Sequence, residues 1–288
     1  MPVVIERFSD GGVFAAAAEP FLVQHGAENN LLLGIIGFLR GEAVLGPDAA
    51  YLAVGRHRDA IVGVAIWTPG WRIVLSHPDH EEFGDAVGSA VRQSALAMRG
   101  VLATVGAGAA FSSHWTTSGT EVRTASSQPI YRLSRRPPVP GGPGHLREAT
   151  LGDLETLVPW WQGFVREVDR REISSDEARA IAGDRIGHPD HATYVWQLDR
   201  VVSMALAAGP TPHGIRIAGV YTPPELRGRG YATACVAALS RLQMERGREF
   251  CFLFTDAANP TSNAIYRRIG YEQVAEVIAL DFISPSAV

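Results

Sequence analysis

The sequence of 288 residues contains no lysine, so all 26 of its basic residues are arginines. This absence excludes a lysine Schiff base or a lysine nucleophile within the chain. Cysteine is also scarce, because only Cys235 and Cys251 occur, both in apolar surroundings. Such positions are typical of buried small side chains, so we expect neither a disulfide framework nor a metal site.

Long apolar runs and basic blocks are missing as well. No apolar run reaches the length of a membrane span, and the first residues lack the pattern of a secretory signal. The net charge is −4 at pH 7. We therefore expect a cytoplasmic protein with no membrane partner and no nucleic-acid partner. Apolar residues make up 46% of the chain, which is enough for one large domain or two of ordinary size.

The stretch Val220–Ala234 combines the end of a strand, a glycine-rich turn and the start of a helix. A strand-like segment, Gly214–Val220, precedes the turn, and a helix-like segment runs from Ala232 to about Arg246. The start of a helix leaves backbone N–H groups unpaired and carries partial positive charge. Two glycines in the turn let the backbone approach a ligand closely. The stretch therefore predicts a phosphate-binding site.

The hexapeptide Arg227–Ala232 fits the pattern Arg/Gln-x-x-Gly-x-Gly/Ala. It is not a P-loop, because no Gly-Lys-Ser/Thr follows, and it lacks the Gly-x-Gly-x-x-Gly of dinucleotide-binding proteins. The alternative is a glycine-rich turn that only starts a helix.

A second pattern follows downstream. The apolar run Phe250–Thr255 predicts a buried strand. Asn259 and Pro260 then open a short helix that contains Tyr266 and ends at Gly270. These residues fit the pattern Asn-x-x-(Ser/Ala)-x-x-x-Tyr-x-x-x-Gly-Phe/Tyr.

Together the two patterns resemble the signatures of the GCN5-related N-acetyltransferase (GNAT) family, over residues from about 145 to 283. The resemblance implies acetyl-CoA (coenzyme A) as the cofactor and a small-molecule or peptide amine as the acceptor. It also implies that the strand before the loop binds the pantetheine arm and that a backbone N–H near Val220 or Tyr221 is the oxyanion donor. The implied cofactor-binding residues are Val220, Tyr221, Thr222, Arg227, Gly228, Arg229, Gly230, Tyr231, Ala232, Asn259, Ser262, Asn263 and Tyr266.

Two tyrosines are the candidate catalytic residues. Tyr266 matches the family tyrosine that often protonates the departing thiolate, and the usual pKa values of a phenol and a thiol, about 10 and about 8.5, lie close together. The alternative is that Tyr266 only hydrogen-bonds the sulfur and packs. Tyr221 points either at the acceptor pocket, which we favour, or into the core.

Four polar residues of the signatures each have a structural alternative. Asn259 and Asn263 contact the cofactor or cap a helix. Arg227 and Arg229 contact phosphates or are solvated surface charges.

No pattern identifies the general base. Glu172, His191, His213 and Asp256 lie in plausible regions, but each is more often a surface or capping residue. The resemblance implies that the helix of Trp160–Trp161 shapes the acceptor side, although aromatic residues at helical spacing more often belong to a core.

Both halves of the sequence have the same order of strand-like and helix-like segments, which predicts a structural repeat. We predict an α/β protein of two GNAT-like domains, each with a mixed, mostly antiparallel sheet flanked by helices. A degenerate domain spans residues 1–134, a Pro/Gly linker spans 135–144, and a catalytic domain spans 145–288 with a closing strand at Val277–Phe282.

The first half lacks a cofactor loop. Its strand Trp71–Leu75 is followed by Ser76–Gly84, which has no Arg-x-x-Gly-x-Gly/Ala, and the helix predicted from about Asp79 begins with acidic residues. Acidic side chains stabilise the start of a helix but would repel a pyrophosphate. We therefore predict a structural role for this half, which packs on the second half; whether it also lines the acceptor cleft stays open.

The predicted activity is transfer of an acetyl group from acetyl-CoA to a primary amine by direct attack on the thioester, in a monomer or a homodimer. The alternatives are a non-catalytic acyl-CoA-binding sensor and a transferase of a larger acyl group. The acceptor stays open among a small amine, an amino acid, an antibiotic, a peptide N-terminus and a protein lysine.

Overall fold

The chain forms two compact units, which we call the N-terminal and the C-terminal unit. The computed structural model describes residues 1–39, 50–94, 96–116, 120–138, 141–168 and 170–283. The N-terminal unit comprises Met1–Ile130, Thr255–Ala258 and Gln273–Val288. The C-terminal unit comprises Tyr131–Phe254 and Asn259–Glu272.

The N-terminal unit is a mostly antiparallel sheet with helices. Its strands pair in the order β1-β2-β3-β4-β5-β12, and only β4 and β5 are parallel. The helices are α1 (Gly11–Leu22), α2 (Asn30–Leu39), α3 (Phe83–Gln93) and α4 (Val105–Thr116). The strands are β1 (Val4–Phe8), β2 (Tyr51–His57), β3 (Ala60–Trp67), β4 (Ile73–Leu75), β5 (Gly100–Thr104), most of β6 (Glu121–Leu133) and β12 (Glu272–Ile283).

The sequence explains how the first helices pack. Asp10 caps α1, since its carboxylate accepts a hydrogen bond from Val13 N at 2.8 Å. Phe83, the first residue of α3, is fully buried against Gly55 and Gly63. A Cβ on either glycine would lie within 2.6 Å of the Phe83 ring, so the glycines provide the space into which α3 inserts its ring.

The last strand of the chain pairs in the N-terminal unit. β12 lies antiparallel to β5, with Val277 opposite Thr104 and Asp281 opposite Gly100. Phe282 stacks on Trp115 with ring centroids 4.7 Å apart. We predicted Val277–Phe282 as the closing strand of the second half, and the structure corrects that assignment, because its apolar face fills the core of the first unit.

The units consequently differ from the two consecutive halves expected from the sequence. Tyr131 and Leu133, at the end of β6, belong to the core of the C-terminal unit. The alternating apolar pattern of a strand does not indicate which neighbours the strand pairs with. Sequence alone could therefore not predict that each half contributes residues to the other unit. The assignment of a degenerate domain to 1–134 and a catalytic domain to 145–288 stays a prediction.

The strands of the C-terminal unit pair in the order β11-β10-β9-β8-β7. Only β10 and β11 are parallel, whereas the other neighbours are antiparallel. The helices are α5 (Leu154–Val168), α6 (Ser175–Asp184), α7 (Tyr231–Glu245) and α8 (Pro260–Ile269). The strands are β7 (His145–Glu148), β8 (His191–Gln197), β9 (Val201–Ala208), β10 (Gly214–Tyr221) and β11 (Phe250–Phe254).

Two cores flank this sheet. Side chains of α7 and α8 form one cluster with inward residues such as Ile215 and Ile217 of β10. Side chains of α5 and α6, including Trp160 and Trp161, form the other cluster with Leu206 of β9. Alternate residues of each strand thus enter different cores, as the two-residue period of a strand requires.

Some boundaries differ from the predicted ones. The helix predicted from Asp79 begins at Phe83, because the preceding residues bond to β3 instead, with Asp79 N donating to Val62 O at 2.9 Å. The strand predicted from Trp71 begins at Ile73. Arg40 and part of the predicted linker, residues 139 and 140, lie outside the described residues.

Candidate active site

The glycine turn connects β10 to α7 and is open to solvent. Gly228 has φ 76° and Gly230 has φ 80°, both in the left-handed region where a glycine is favoured. A Cβ at either position would meet no atom within 4 Å. The hexapeptide pattern therefore forms an exposed, sharply bent loop, with free space in front of its backbone.

The loop leads directly into the positive end of α7. Gly230 is the residue before the helix, and the first helical hydrogen bond runs from Ala234 N to Gly230 O at 3.0 Å. The N–H groups of Tyr231, Ala232 and Thr233 precede that bond, so the helix offers them no acceptor. These donors and the helix dipole together suit a pyrophosphate.

The two arginines of the loop lie in different surroundings. Arg227 Nε donates to Thr222 O at 2.8 Å, and its Nη2 lies 2.7 Å from Glu167 Oε1. Arg229 is exposed, and its contact is a long one, 3.5 Å from Nη2 to Glu225 O. Arg227 therefore holds the turn against α5, whereas Arg229 is available to a ligand.

β10 separates from β11 before it reaches the loop. The two strands pair only over Gly214–Arg216, opposite Phe250–Phe252, although β10 continues to Tyr221. On its other edge β10 carries a bulge, since Ala218 faces Leu206 whereas Tyr221 faces Met204. The separation exposes the backbone groups of β10 that would otherwise bond to β11, and it provides the edge that the family resemblance assigns to the pantetheine arm.

Gly219 makes the bulge possible. Its φ is +56°, and a Cβ there would lie 3.1 Å from Cη2 of Trp161 and 3.3 Å from Cβ of Leu206. A side chain at this position would be unfavourable for two reasons, because the left-handed backbone disfavours it and because it would crowd these two neighbours. The tryptophan on α5 thus packs against the point at which the strand bends.

Tyr266 lies on the buried face of α8, with 8% of its surface exposed. Its ring is 6.5 Å from the ring of Tyr131 and 6.1 Å from that of Tyr271. Burial raises the pKa of Tyr266 to about 12, so its phenol is protonated at neutral pH. The close match of phenol and thiol pKa values that we expected is therefore lost, and donation of a hydrogen bond suits this phenol better than full proton transfer.

Two further polar residues of the second signature lie in different surroundings, one at the cap of α8 and one in the interior. Asn259 caps α8, because its Oδ1 accepts from Ser262 N at 3.1 Å, which is the structural alternative that we left open for this residue. Asn263 is buried, with 8% of its surface exposed, and its N donates to Asn259 O at 3.2 Å. Both residues stay predicted contacts of the cofactor.

Tyr221 packs into the core beside α5. Its ring lies 6.3 Å from the ring of Trp160, and a Cβ on Gly163 would lie 2.2 Å from its hydroxyl oxygen. Burial raises the pKa of Tyr221, and the charge of Glu167 raises it further. Of our two alternatives the packing favours the core, and the catalytic assignment of Tyr221 stays a prediction.

The four candidate bases have separate surroundings. Glu172 is exposed and bonds Arg166 at 2.8 Å, and His213 Nδ1 lies 2.7 Å from Glu249 Oε1. His213 precedes β10, which places it roughly 20 Å along the strand from the bulge. His191 lies two strands away on β8, and Asp256 belongs to the N-terminal unit. The general base stays open.

A cavity of about 250 Å³ lies away from the loop. It is lined by Tyr194, Ile215, Arg246 and Gly247, at the end of α7 opposite to the loop. The length of α7 separates the two by roughly 20 Å. This cavity is therefore not where a group bound at the loop would react.

Several backbone donors in the corresponding loop of the N-terminal unit bond to acceptors within the protein. Between β4 and α3, Ser76 N donates to Val64 O at 2.9 Å, and His77 N donates to Asn29 Oδ1 at 2.8 Å. Glu82 N donates to His80 Nδ1 at 3.3 Å. These N–H groups are therefore not available to a phosphate, and the loss of the cofactor from this half stays a prediction.

No sequence pattern indicated the roles of two residues in the site region. Glu167, which fixes Arg227, follows the aromatic face of α5 as an ordinary surface acid. Arg216 interrupts an apolar strand, and on a strand with one exposed face such a residue would point to solvent.

A separated parallel strand pair beside an open glycine loop at a helix start defines a class of protein that binds an extended, pyrophosphate-containing ligand. Residues 155–271 match the model of the acetyltransferase (GNAT) family, so this stretch forms a GNAT domain. Members of the family transfer an acetyl group from acetyl-CoA. No curated protein matches the sequence significantly.

Solved structures support the fold over the whole length. A GCN5-related N-acetyltransferase from Sphaerobacter thermophilus matches with a TM-score of 0.62 and 16% identity, covering 98% of this chain and 96% of that chain. A Drosophila protein matches with a TM-score of 0.64 and 14% identity, covering 98% and 99%. A tandem GNAT protein from the clavulanic acid biosynthesis pathway matches with a TM-score of 0.54 and 15% identity, covering 99% of each chain. These likenesses show the fold, and they confirm the predicted α/β class. No described helix has both the length and the apolar character needed to cross a membrane.

Proposed function

We propose that the C-terminal unit transfers an acetyl group from acetyl-CoA to a primary amine, by direct attack of the amine on the thioester. The observation that carries the proposal is the parting of β10 from β11 immediately before an open glycine loop. An extended thioester ligand needs both features, an unpaired strand edge for its arm and a donor cluster for its phosphates.

The residues present fit coenzyme A. The N–H groups from Gly228 to Ala232 would hold the pyrophosphate, with Arg229 as the charged neighbour. The edge of β10 from Gly219 to Thr222 would pair with the pantetheine arm. When bound, acetyl-CoA supplies an activated acetyl group. A backbone N–H near Val220 or Tyr221 would stabilise the negative charge that builds on the carbonyl oxygen.

Tyr266 would donate a hydrogen bond to the sulfur as charge develops there. Its raised pKa keeps the donor proton in place across the working pH range. The amine must arrive uncharged, so its proton is lost to a base or to water before attack. No protein nucleophile is needed, and burial raises the pKa values of Cys235 and Cys251 to about 12, which keeps both thiols protonated and unreactive.

The N-terminal unit, in the same proposal, binds no coenzyme A. Its equivalent loop lacks glycines in the left-handed region, and its N–H groups bond to protein acceptors such as Val64 O. The first turn of α3 carries Asp85, and Glu82 precedes it, so a pyrophosphate would meet negative charge there.

The test compares turnover with cofactor binding. We expect the wild type to release free CoA thiol when acetyl-CoA is mixed with a panel of primary amines. Tyr266→Phe should lower kcat at least about tenfold while calorimetry finds an unchanged Kd for CoA. Tyr271→Phe is the matched control, because the Tyr271 hydroxyl bonds Ser240 Oγ at 2.7 Å in the same core and should affect stability but not turnover.

Two results would reject the proposal. If CoA binds but no amine releases thiol, the chain is a non-catalytic acyl-CoA sensor. If longer acyl-CoA donors react much faster than acetyl-CoA, the transferred group is a larger acyl group.

A further inference from the structure

Arg216 carries a charge on the apolar side of the sheet that faces α5 and α6. Its neighbours Ile215 and Ile217 pack in the cluster of α7, so the alternation of β10 turns Arg216 to the opposite face. There Arg216 pairs with Ala208 of β9, which in turn pairs with His191 of β8. The arginine therefore lies in a row across three strands, between the sheet and the two helices.

No acid compensates this charge. Nε of Arg216 is buried and has no hydrogen-bond partner, and no ion pair of the described residues includes Arg216. Burial lowers the pKa of the Arg216 guanidinium, and the charge of Arg185 lowers it further. Burying an unpaired charge is unfavourable, and a pair becomes tolerable only when an opposite charge is supplied.

A second arginine faces the same space. Arg185 follows α6, and its guanidinium carbon lies 4.8 Å over the ring of Trp161. Its Nη1 donates to Ile181 O at 3.0 Å. Asp184, whose carboxylate is exposed, acts on Arg185 through its charge, and no ion pair among the described residues includes Arg185.

His191 lies near the two arginines and responds to their charge. Burial lowers its pKa, and His188, Arg216 and Arg185 lower it further, whereas only Asp190 acts in the opposite direction. Asp190 is exposed. The facing groups are therefore two guanidiniums and two imidazoles against surface carboxylates.

Trp161 connects this cluster to the point of reaction. Its Cη2 would touch a Cβ on Gly219, while its ring carries the guanidinium of Arg185. Arg216 lies three residues before Gly219 on the same strand, roughly 10 Å away. An acceptor of ordinary metabolite size could therefore reach both the arginines and the bulge of β10.

We infer that Arg216 and Arg185 form a subsite for a carboxylate of the acceptor, so that the amine acetylated by this protein belongs to an amino acid or to another amine that carries a carboxylate. Guanidinium groups bind carboxylates through paired N–H donors. The carboxylate of the acceptor would supply the negative charge that the fold does not place beside these arginines. That the bound ligand is the acceptor of the acetyl group rests on the proposed function. That the two arginines bind a carboxylate does not depend on catalysis.

The first experiment measures binding without turnover. The thermal midpoint of the wild type, Arg216→Met and Arg241→Met is compared alone and with each standard amino acid or its carboxamide at millimolar concentration. Arg241 is a control because it bonds Glu245 on the surface of α7. We expect at least one amino acid, and not its carboxamide, to raise Tm of the wild type and of Arg241→Met but not of Arg216→Met.

The unliganded variants give a second readout. Removing an unpaired buried charge should raise Tm of unliganded Arg216→Met by a few degrees, whereas a purely structural arginine would lower it. A lower Tm together with unchanged amino-acid binding would overturn the subsite.

The third readout is kinetic. With acetyl-CoA as donor, wild-type kcat/KM should favour the amino acid over its carboxamide by about a hundredfold, and Arg216→Met should bring the ratio near one. Equal values of kcat/KM for the amino acid and its carboxamide would overturn the subsite but leave the proposed acetyl transfer intact. Binding of the amino acid without any thiol release would reject the proposed transfer and leave the subsite intact. A preference for phosphorylated amines over carboxylates would overturn the assignment to a carboxylate.

Discussion

Glu167 holds Arg227 through both carboxylate oxygens, which lie 2.7 and 2.9 Å from Nη2 of the arginine. The Nε of the same guanidinium donates to Thr222 O, so one side chain connects α5, the end of β10 and the glycine loop. Two arginines of one hexapeptide thus have separate tasks, since Arg227 shapes the loop and Arg229 remains exposed beside it.

This division predicts different effects of two equivalent substitutions. Arg229→Met should weaken CoA binding by about three- to tenfold at low salt and by less at high salt. The reason is that dissolved salt screens the attraction between an exposed cation and a phosphate. Arg227→Met should lower the free energy of unfolding by roughly 1–2 kcal/mol through its lost hydrogen bonds. Calorimetric titration at two salt concentrations and chemical denaturation distinguish the two. Equal losses of CoA affinity, with the same salt dependence, would contradict the division.

The open backbone of the loop predicts a sharper effect at Gly230. Gly230→Asp should abolish measurable CoA binding, because its carboxylate would stand among the amides that hold the pyrophosphate. Gly247→Asp is the matched control, since Gly247 also has a positive φ, 97°, and open space around its Cβ position, but lies at the other end of α7. We expect Gly247→Asp to bind CoA normally in calorimetry. Unchanged affinity in Gly230→Asp would place the phosphates elsewhere.

The contact between Gly219 and Trp161 predicts a stability effect. Gly219→Ala should destabilise the protein by about 1–3 kcal/mol, because alanine is strained at a φ of +56° and its Cβ would press on Trp161 Cη2 at 3.1 Å. Gly183→Ala, in α6 with nothing within 4 Å of its Cβ position, should stabilise by about 0.5–1 kcal/mol. Urea denaturation of both variants checks the pair. Similar midpoints would mean that the bulge tolerates a side chain.

The sequence predicted local structure best where the chemistry of single residues decides it. The strand before the glycine turn begins at Gly214 as predicted, and the turn lies where its pattern placed it, because glycine position and helix-start polarity act within a few residues. Strand partners depend on distant residues. For that reason β12 was assigned to the wrong unit, although Val277–Phe282 was correctly expected to be a strand.

The candidate site was predictable to the same extent. The backbone features of the loop follow from Gly228 and Gly230, whereas side-chain roles depend on neighbours that only the fold brings together. From the sequence alone, Arg227 could equally have contacted a phosphate, because only the structure shows that Glu167 lies beside it. Arg216 had no visible role in the sequence, because whether a charge in a strand meets solvent or a helix pair depends on the layers above the sheet.

Asp153 gives the C-terminal unit a defined sensitivity to acid. Both its oxygens bond Arg147 at 2.7 Å, and one accepts from Thr150 N at 2.8 Å, which completes a capping box before α5. These hydrogen bonds, Arg147 first, lower the pKa of Asp153 to about 2 from an ordinary 3.8. The bound carboxylate therefore stabilises the fold above about pH 5, and this contribution is lost as the pH falls towards 2.

We expect Asp153→Asn to lower the free energy of unfolding by about 2 kcal/mol at pH 7, and the difference from the wild type to shrink steadily between pH 5 and pH 2. Chemical denaturation at a series of pH values measures that difference directly. Glu155→Gln is the control, because Glu155 bonds Arg179 through both oxygens but lies exposed, where solvent screens the pair. Its difference from the wild type should be small at every pH. A pH-independent effect of Asp153→Asn would show that the lost acceptor oxygen matters and the charge does not, since the amide replaces one acceptor oxygen of the carboxylate with an NH2 donor.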